Sequence, residues 1–191
     1  MYPFYPQELA IMQTHTRPAR AAHSVRVAET AWQLARHWGA DEGAAYQAGL
    51  LHDVAKAYTP DTLPMVLPDR MTELWQAFPA VWHALIGPDV VRACHLPISE
   101  TVAEAIRWHT TGCDQMSCLT QVVFVADYIE PQRPFANREQ VEALAYQHLE
   151  GAVLAIVSVT IRQLINRSAP VHPHAIGCYN AMCRHGEREG Y

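Results

Sequence analysis

The chain has few charged residues, few aromatic residues and no long uninterrupted apolar run. Of its 191 residues, 17% are charged and 9% are aromatic, and the formal net charge is −5. This balance argues against a sequence-independent nucleic-acid binder, which needs a basic stripe. Gln, Asp, Arg or His interrupts the apolar stretches before the roughly 18 residues that a membrane span requires. The N-terminus has no basic region followed by an apolar core, so we expect a cytoplasmic protein without a secretory signal or membrane partner.

The number and spacing of the cysteines argue against a zinc site and against a disulfide framework. Their number, five, is odd, and no two stand at the spacing of a zinc knuckle. They are Cys94, Cys113, Cys118, Cys178 and Cys183. We expect reduced, mostly structural thiols in a cytosolic compartment, with a redox pair of Cys113 and Cys118 or of Cys178 and Cys183 as the alternative.

No segment shows the period-two alternation of a strand, and the apolar residues recur at helical spacing. We predict a single all-α domain, a helical bundle, over residues 18–183, with an N-terminal extension over 1–17 and a C-terminal tail over 184–191. The first helix spans 21–38, with His23 on its apolar stripe. Gly39 ends that helix, and Asp41 caps a second helix that carries His52 on its inner face and stops before Pro60.

The remaining helices follow from the same pattern of apolar residues, N-caps and prolines. The proline-rich segment 59–79 is expected to form short helical turns, and Ser99 and Ser117 are candidate N-caps. The predicted helices span 81–94 with a bend at Gly87-Pro88, 99–109, 117–130, 138–148 and 150–166, and a short one follows 170–173. Trp75, Phe78 and Trp82 form either a homodimer face, which we slightly favour, or a second core layer.

The dipeptide His52-Asp53 lies in an otherwise apolar run, where packing alone does not explain it. A buried charge needs a partner, and a metal ion is the simplest one. His23 lies 29 positions upstream of His52, and Asp127 lies 74 positions downstream of Asp53. Two imidazoles and two carboxylates suit iron, manganese or a similar divalent ion and leave coordination positions open. The order His, His-Asp, Asp on an all-helical chain resembles the signature of the HD metal-dependent phosphohydrolases. On this resemblance we predict one metal ion on His23, His52, Asp53 and Asp127.

Further histidines and cations lie near these ligands in the sequence. His83 and His109 each sit on an apolar helical stripe and either complete a second metal site or bind phosphate and protonate a leaving group. Lys56, three residues after Asp53, is the third candidate catalytic group. Arg20 and Arg133 are expected to contact phosphate, whereas we expect Arg107 to be a solvated surface charge. A divalent ion lowers the pKa of bound water from about 15.7 toward roughly 7, which suits hydrolysis of a phosphate substrate.

Five blocks of the chain resemble one particular family. They span residues 20–28, 48–56, 105–112, 123–131 with Arg133, and 170–173. The run Ala-Asp-Tyr-Ile-Glu-Pro at 126–131 and the run His-Thr-Thr-Gly at 109–112 are the most specific of these. The chain resembles the bacterial YqeK-type HD-domain symmetrical diadenosine tetraphosphate hydrolases over most of its length, from about residue 20 to 180.

The resemblance implies an all-helical HD fold, bound iron and hydrolysis of diadenosine tetraphosphate into two ADP. Carried onto matching positions, it implies the four metal ligands already predicted. It also implies a set of nucleotide contacts. These are Arg20, His83, His109, Thr110, Arg133, Pro170, Val171, His172, Pro173, His174 and Ala175.

Three other functions are weighed against this one. An HD nucleotidohydrolase acting on a mononucleotide or a guanosine alarmone would release monophosphate or pyrophosphate. A nucleotide sensor would bind without turnover, but degenerate sensors commonly lose metal ligands, and the ligand set here is complete. A purely structural bundle leaves the inward-facing His and Asp residues unexplained.

Overall fold

The computed structural model describes residues 2, 5–63, 65–66 and 68–189 of the chain. Within these residues it contains ten α-helices, one short 3₁₀ helix (Pro60–Thr62) and no strand, which confirms the all-α prediction. The helices are α1 (Pro6–His15), α2 (Pro18–Trp38), α3 (Glu42–Leu51), α4 (Asp69–Ala77), α5 (Pro79–Ala93), α6 (Glu100–Trp108), α7 (Cys118–Ile129), α8 (Arg138–Gln147), α9 (Leu149–Asn166) and α10 (Pro173–Glu189).

The local signals for helix ends were correct at four positions. Gly39 ends α2 with φ +70°, a conformation that glycine adopts without steric cost. The Asp41 side chain accepts a hydrogen bond from the Ala44 N–H at the start of α3. Ser99 and Ser117 cap α6 and α7 in the same way. These residues therefore mark where α2 ends and where α3, α6 and α7 begin.

The helices α2, α3 and α7 form the centre of the core. Val27, Ala31 and Leu34 of α2 are fully buried, and Val122 and Ala126 of α7 are buried against the same cluster. Because most of these side chains are small, the helix axes approach closely. Polar groups on these three helices are consequently held in a rigid, water-poor surrounding.

Several helices differ in extent from the prediction. Segment 59–79 contains a nine-residue helix, α4, in addition to the short 3₁₀ turn. Helix α5 begins two residues earlier than predicted, at Pro79, and continues through Pro88 as predicted. The C-terminal helix α10 has 17 residues and is not short, because residues up to Glu189 of the predicted tail continue it; residues 190–191 lie outside the described part of the chain.

The first helix packs onto the domain, although residues 1–17 were predicted as an extension. Met12 is fully buried in the core, and the Glu8 carboxylate accepts a hydrogen bond from the side chain of Gln47 on α3. The Tyr5 hydroxyl donates to the Gly43 carbonyl. Residues 5–16 thus share the core of the domain.

Trp82 is not an exposed apolar residue. Its side chain is only 1% exposed, and its indole N–H donates to the Met71 carbonyl. This ring belongs to a second core layer between α4 and α5, which excludes it from a dimer face. Trp75 packs against the same core and is half-buried, as is Phe78.

Helix α9 is long and apolar enough to pass a test for a membrane span based on length and composition. It carries Glu150 and Arg162, and it packs against α7, α8 and α10. Val153, Ile156 and Val157 lie in the main core. The core helix of a globular protein can pass the same test, so the composition of α9 is not evidence that it spans a membrane. All five cysteines are free thiols.

Helices α2 and α3 pack closely against each other at Gly49. A Cβ built on Gly49 would lie 2.8 Å from Ala28 Cα, a backbone atom that cannot move aside locally. We predict that Gly49→Ala lowers the free energy of unfolding by about 1–3 kcal/mol through overpacking. Urea unfolding of the metal-free protein measures this loss.

Gly177→Ala is the matched control. Gly177 lies within α10, where an added Cβ meets only Asp114 Cβ at 3.8 Å. This substitution should stabilise the protein by roughly 0.5–1 kcal/mol, because alanine loses less backbone entropy in a helix. Equal effects of the two substitutions would contradict the close-packing argument.

Candidate metal centre

The sequence-predicted ligands and catalytic groups come together from five separate elements. Helix α2 supplies His23, the turn after α3 supplies His52 and Asp53, and α7 supplies Asp127. The other contributors are α5 with His83 and the residue after α6, His109. Ligand atoms of these residues lie within 4.8 Å of one another in three overlapping groups. The groups are His23–His52–Asp53, His52–His109–Asp127 and Asp53–His83–His109.

His52 lies at the end of α3 and not inside a continuing helix. The helix stops at Leu51, and residues 52–57 form consecutive turns. His52 Nδ1 donates a hydrogen bond to the Gly49 carbonyl at 2.7 Å. In a continuing α-helix this carbonyl would accept from the backbone N–H of Asp53. Helix α3 therefore ends at Leu51, which corrects the prediction of a helix reaching toward Pro60.

His109 is held in the same way at the end of α6. Its Nδ1 donates to the Ile106 carbonyl at 2.7 Å. A carbonyl only accepts, so in both His52 and His109 the proton lies on Nδ1 and the lone pair lies on Nε2. Two helix ends thus orient two imidazoles with Nε2 toward the centre.

His23 is oriented by a residue that was not singled out as a site residue. Its Nδ1 lies 3.1 Å from Glu130 Oε1, and its Nε2 lies 3.0 Å from Asp127 Oδ1. Glu130 is 2% exposed and also accepts from Arg26 Nε at 2.7 Å. In the sequence, Glu130-Pro131 indicates only the end of a helix, although Glu130 lies in one of the blocks most specific to the family.

Two buried ligand atoms face the centre. His52 Nε2 has no hydrogen-bond partner, and Asp53 Oδ1 is approached by His83 Nε2 at 3.0 Å. A buried polar atom without a partner is costly, and both atoms belong to residues that coordinate divalent cations well. His52 Nε2 also lies 3.3 Å from Asp53 Oδ2 and 3.6 Å from Asp127 Oδ1. The residues therefore fit a divalent cation.

The pKa values of the two carboxylates, His83 and His109 are shifted in the directions that suit a metal site. Burial opposes ionisation of Asp53 and Asp127, yet the pKa of each falls below its usual value. The neighbouring His52 ring and histidine hydrogen bonds cause this for Asp53, and the His23 hydrogen bond, His52 and Arg133 cause it for Asp127. Burial acts to lower the pKa of His52, but Asp53 and Asp127 raise it. Burial lowers the pKa of His109, and burial with the Lys56 charge lowers that of His83 to about 4. The carboxylates are thus ionised and these two imidazoles neutral at pH 7.

Three cations border the centre. Arg20 Nη1 donates to Asp53 Oδ2 at 2.9 Å, and the Arg133 guanidinium contacts the Asp127 carboxylate. Lys56 Nζ lies 3.0 Å from His83 Nε2, and burial lowers its pKa. Arg107 points instead toward Glu100, 3.8 Å away. The cations near the ligands can bind an anion next to a metal ion.

Two cavities, one of them lined by His109, contain part of the remaining predicted contacts. A cavity of about 140 Å³ is lined by His109, Thr110, Asp127 and Arg133, and the Thr110 hydroxyl is buried without a partner. A cavity of about 610 Å³ is lined by the Trp108 and Phe78 side chains and by the stretch 172–174.

The stretch 170–175 is only partly in contact with the larger cavity. The His172 ring lies 4.6 Å from the Phe78 ring and 5.2 Å from the His174 ring, centroid to centroid. Pro173 also lines the cavity, but Pro170, Val171 and Ala175 do not. The Ala175 side chain is buried in the core.

Comparison with known proteins places this arrangement in a family. The HD domain family matches residues 20–132, which contain all four predicted metal ligands. The chain is 34% identical over 176 residues to the symmetrical bis(5'-nucleosyl)-tetraphosphatase of Halalkalibacterium halodurans, covering 91% of this chain and 94% of that protein. The chain belongs to this HD-domain family.

Two further relatives support the assignment. The symmetrical bis(5'-nucleosyl)-tetraphosphatase of Bacillus subtilis is 33% identical over 91% of this chain and 95% of its own length. A crystal structure from Clostridium acetobutylicum superposes with a TM-score of 0.84 and 27% identity, covering 97% of this chain and all of that one. That protein is named as a predicted HD superfamily hydrolase involved in NAD metabolism. The HD-domain helical bundle expected from the sequence is thereby confirmed.

The low pKa of His83 predicts a pH dependence of stability in the metal-free protein. The unfolded state binds a proton on this ring with a pKa of 6.5, the folded state with a pKa of about 4. Between these values the unfolded state binds more protons, so stability falls as the pH falls. From pH 7 to pH 5 the contribution of His83 amounts to roughly 2 kcal/mol of lost stability.

Urea unfolding at the two pH values tests this expectation. His83→Gln should lose less stability between pH 7 and pH 5 than the wild type, by about the amount given above. His37→Gln is the control, because His37 is exposed at the end of α2, and it should behave as the wild type. The same pH dependence in all three proteins would contradict a neutral, buried His83.

Proposed function

We propose that the protein hydrolyses diadenosine tetraphosphate symmetrically into two ADP. The observation that carries the proposal is the relatives' shared name, symmetrical bis(5'-nucleosyl)-tetraphosphatase, over about nine-tenths of this chain. The complete set of His and Asp side chains in one cluster supports a catalytic centre over a sensor. Water attacks one inner phosphorus and ADP leaves, so the two products are equal.

His23, His52, Asp53 and Asp127 would hold the catalytic metal, with iron as the first choice and manganese as an alternative. Their donor set of neutral imidazole nitrogens and ionised carboxylates suits both ions. When bound, the ion polarises a phosphoryl oxygen and lowers the pKa of a water. The protein keeps this set rigid through the hydrogen bonds on the outer nitrogens of His23 and His52.

His83, His109 and Lys56 would act on the phosphate chain. His83 Nε2 lies 3.3 Å from His109 Nε2 and 3.0 Å from Asp53 Oδ1, so both rings face the ligand carboxylate. A neutral His83 with its proton on Nε2 would donate a hydrogen bond to a phosphoryl oxygen, whereas the Nε2 lone pair of His109, whose proton lies on Nδ1, would accept one. The Lys56 ammonium beside His83 stabilises the negative charge that develops on the departing ADP.

Arg20, Arg133 and Thr110 would position the substrate. Both guanidiniums contact a ligand carboxylate while remaining partly exposed, and each has further N–H groups for a phosphate. The buried Thr110 hydroxyl has no protein partner and faces the same small cavity as Arg133. The stretch Pro170–Ala175 would contact a nucleoside through its residues at the larger cavity, His172, Pro173 and His174.

One ion per chain is favoured over two. Asp53, His83 and His109 form a further group of potential ligands. However, Lys56 Nζ lies 3.0 Å from His83 Nε2, and an ammonium ion at that distance repels a second cation. The same ammonium attracts a phosphate. His83 and His109 are therefore assigned to the substrate.

The cellular setting follows from the same chemistry. Five free thiols suit a reducing compartment, so we place the protein in the cytoplasm. Its partners are the dinucleoside polyphosphate and the product ADP, without nucleic acid or membrane. A homodimer remains our proposal, although Trp82 takes no part in its interface.

Product analysis tests the proposed reaction. Diadenosine tetraphosphate is incubated with iron- or manganese-loaded protein in H₂¹⁸O, and the products are separated by anion exchange. We expect ADP alone, with one ¹⁸O per cleavage on a terminal phosphate, and no turnover with a chelator. Asp53→Ala should lower kcat/KM by roughly 10³-fold or more, because the metal supplies several kcal/mol of stabilisation.

Asp61→Ala is the matched control, because Asp61 is exposed in the 3₁₀ helix and should leave turnover unchanged. ATP with AMP as products would show asymmetric cleavage and contradict the proposal. Release of monophosphate or pyrophosphate would favour a nucleotidohydrolase of the other class. Binding without turnover would indicate a sensor.

The assignment of His83 to the substrate predicts a separation of metal binding from turnover. His83→Gln should keep one metal ion per chain, measured by mass spectrometry of the metal content, and lose roughly 10²-fold or more in kcat. His37→Gln should change neither quantity. Two ions in the wild type and one in His83→Gln would instead assign His83 to a second metal site.

A further inference from the structure

Two pairs of side chains connect α2 to the end of α7, one helical turn apart. His23 meets Asp127, and Arg26, three residues later on α2, meets Glu130, three residues after Asp127. The Glu130 carboxylate receives hydrogen bonds from His23 Nδ1, from Arg26 Nε and from the N–H of Gln132 at 2.9 Å. The Glu130 carboxylate thus contacts a predicted metal ligand, His23, and also forms an ion pair with Arg26.

We propose that Glu130 is a positioning residue for the metal centre, whose carboxylate keeps the proton of His23 on Nδ1 and so leaves Nε2 free to bind the metal. The inference rests on the proposed metal site. A carboxylate accepts hydrogen bonds and cannot donate them when ionised, so the ring must donate through Nδ1. Carboxylate–histidine–metal arrangements use this contact to set the tautomer and raise the basicity of the ligand.

A second carboxylate competes for the same proton. Asp127 Oδ1 lies 3.0 Å from His23 Nε2, about as close as Glu130 Oε1 lies to Nδ1. If the proton moved to Nε2, His23 would donate a hydrogen bond to Asp127. His23 Nε2 and Asp127 Oδ1 would then be paired with each other and would not bind the metal. Glu130 opposes this loss because its anionic oxygen stabilises the other tautomer.

Arg26 allows Glu130 to remain charged. Glu130 is 2% exposed, and an isolated carboxylate there would be strongly disfavoured. The Arg26 guanidinium is 23% exposed and supplies the compensating charge from the solvent side. The role of Arg26 is therefore to stabilise the ion pair, and the role of Glu130 toward His23 is distinct from it.

His23 differs in this respect from the two histidines at helix ends. His52 and His109 donate through Nδ1 to neutral backbone carbonyls, of Gly49 and Ile106. Those contacts depend on the chain path and persist in any side-chain variant of the acceptor residue. The Nδ1 contact of His23 depends on the Glu130 side chain, so a substitution of Glu130 can remove it.

The test is Mn²⁺ affinity, measured by competition with a chelator, in Glu130→Gln and its controls. Glutamine keeps an oxygen that can accept from Nδ1 but removes the charge, so we expect affinity to fall about 10- to 100-fold. Glu8→Gln removes another buried carboxylate, which is hydrogen-bonded to Gln47 away from the centre. It should bind Mn²⁺ as the wild type does. Thermal unfolding of each metal-free variant reports any general loss of structure.

Arg26→Gln separates the histidine contact from the ion pair. It should lower stability but weaken Mn²⁺ binding clearly less than Glu130→Gln does. Equal loss of affinity in these two variants would mean that only the ion pair matters, and would overturn the inference. Unchanged affinity in Glu130→Gln would overturn it too.

A further variant covers the case in which Glu130→Gln does not fold. Glu130→Asp keeps the charge but shortens the reach to Nδ1 by one methylene, so Mn²⁺ affinity should still fall; unchanged affinity would overturn the inference. A wild-type protein that binds no metal overturns this inference together with the proposed site. One that binds Mn²⁺ but leaves diadenosine tetraphosphate intact contradicts only the proposed reaction.

Discussion

The buried carboxylates of Asp53 and Asp127 impose the main constraint on this fold. A charge removed from water must be compensated nearby, and here the compensation comes from elements far apart in the chain. Imidazoles from α2, α5 and the ends of α3 and α6 surround the two carboxylates, and Arg20 and Arg133 contact them from the outer side. The helices around α2 and α7 are packed so that these imidazole and guanidinium groups all reach the two carboxylates.

The site lies where helices end. His52 and His109 each bond the carbonyl three residues before them, which occupies an acceptor at the helix end and points the other ring nitrogen inward. The turns over 52–57 come directly after the first of these bonds. Within them, Lys56 Nζ lies 3.0 Å from His83 Nε2. The end of α3 and the turns after it therefore supply both an oriented ligand and a neighbouring cation.

The distribution of charge explains how an acidic chain can accept a polyanion. The net charge of −5 is a property of the whole surface. At the centre, Arg20, Lys56 and Arg133 accompany the two aspartates, and a divalent ion would add two positive charges. Local charge decides the binding of a small anion, since solvent and salt screen more distant groups.

The sequence by itself determined the helical periodicity and the caps at Asp41, Ser99 and Ser117, because these depend on spacing and residue type within short stretches. The four candidate ligands followed from residue type and from the order His, His-Asp, Asp along the chain. The sequence also showed that His83 and His109 face inward. Only the tertiary structure decided that Trp82 is core, that α1 joins the domain and that Glu130 supports His23. The physical reason is the range of the interaction. Periodicity shows which face of a helix is buried, whereas a contact between residues 107 positions apart depends on how two helices are packed.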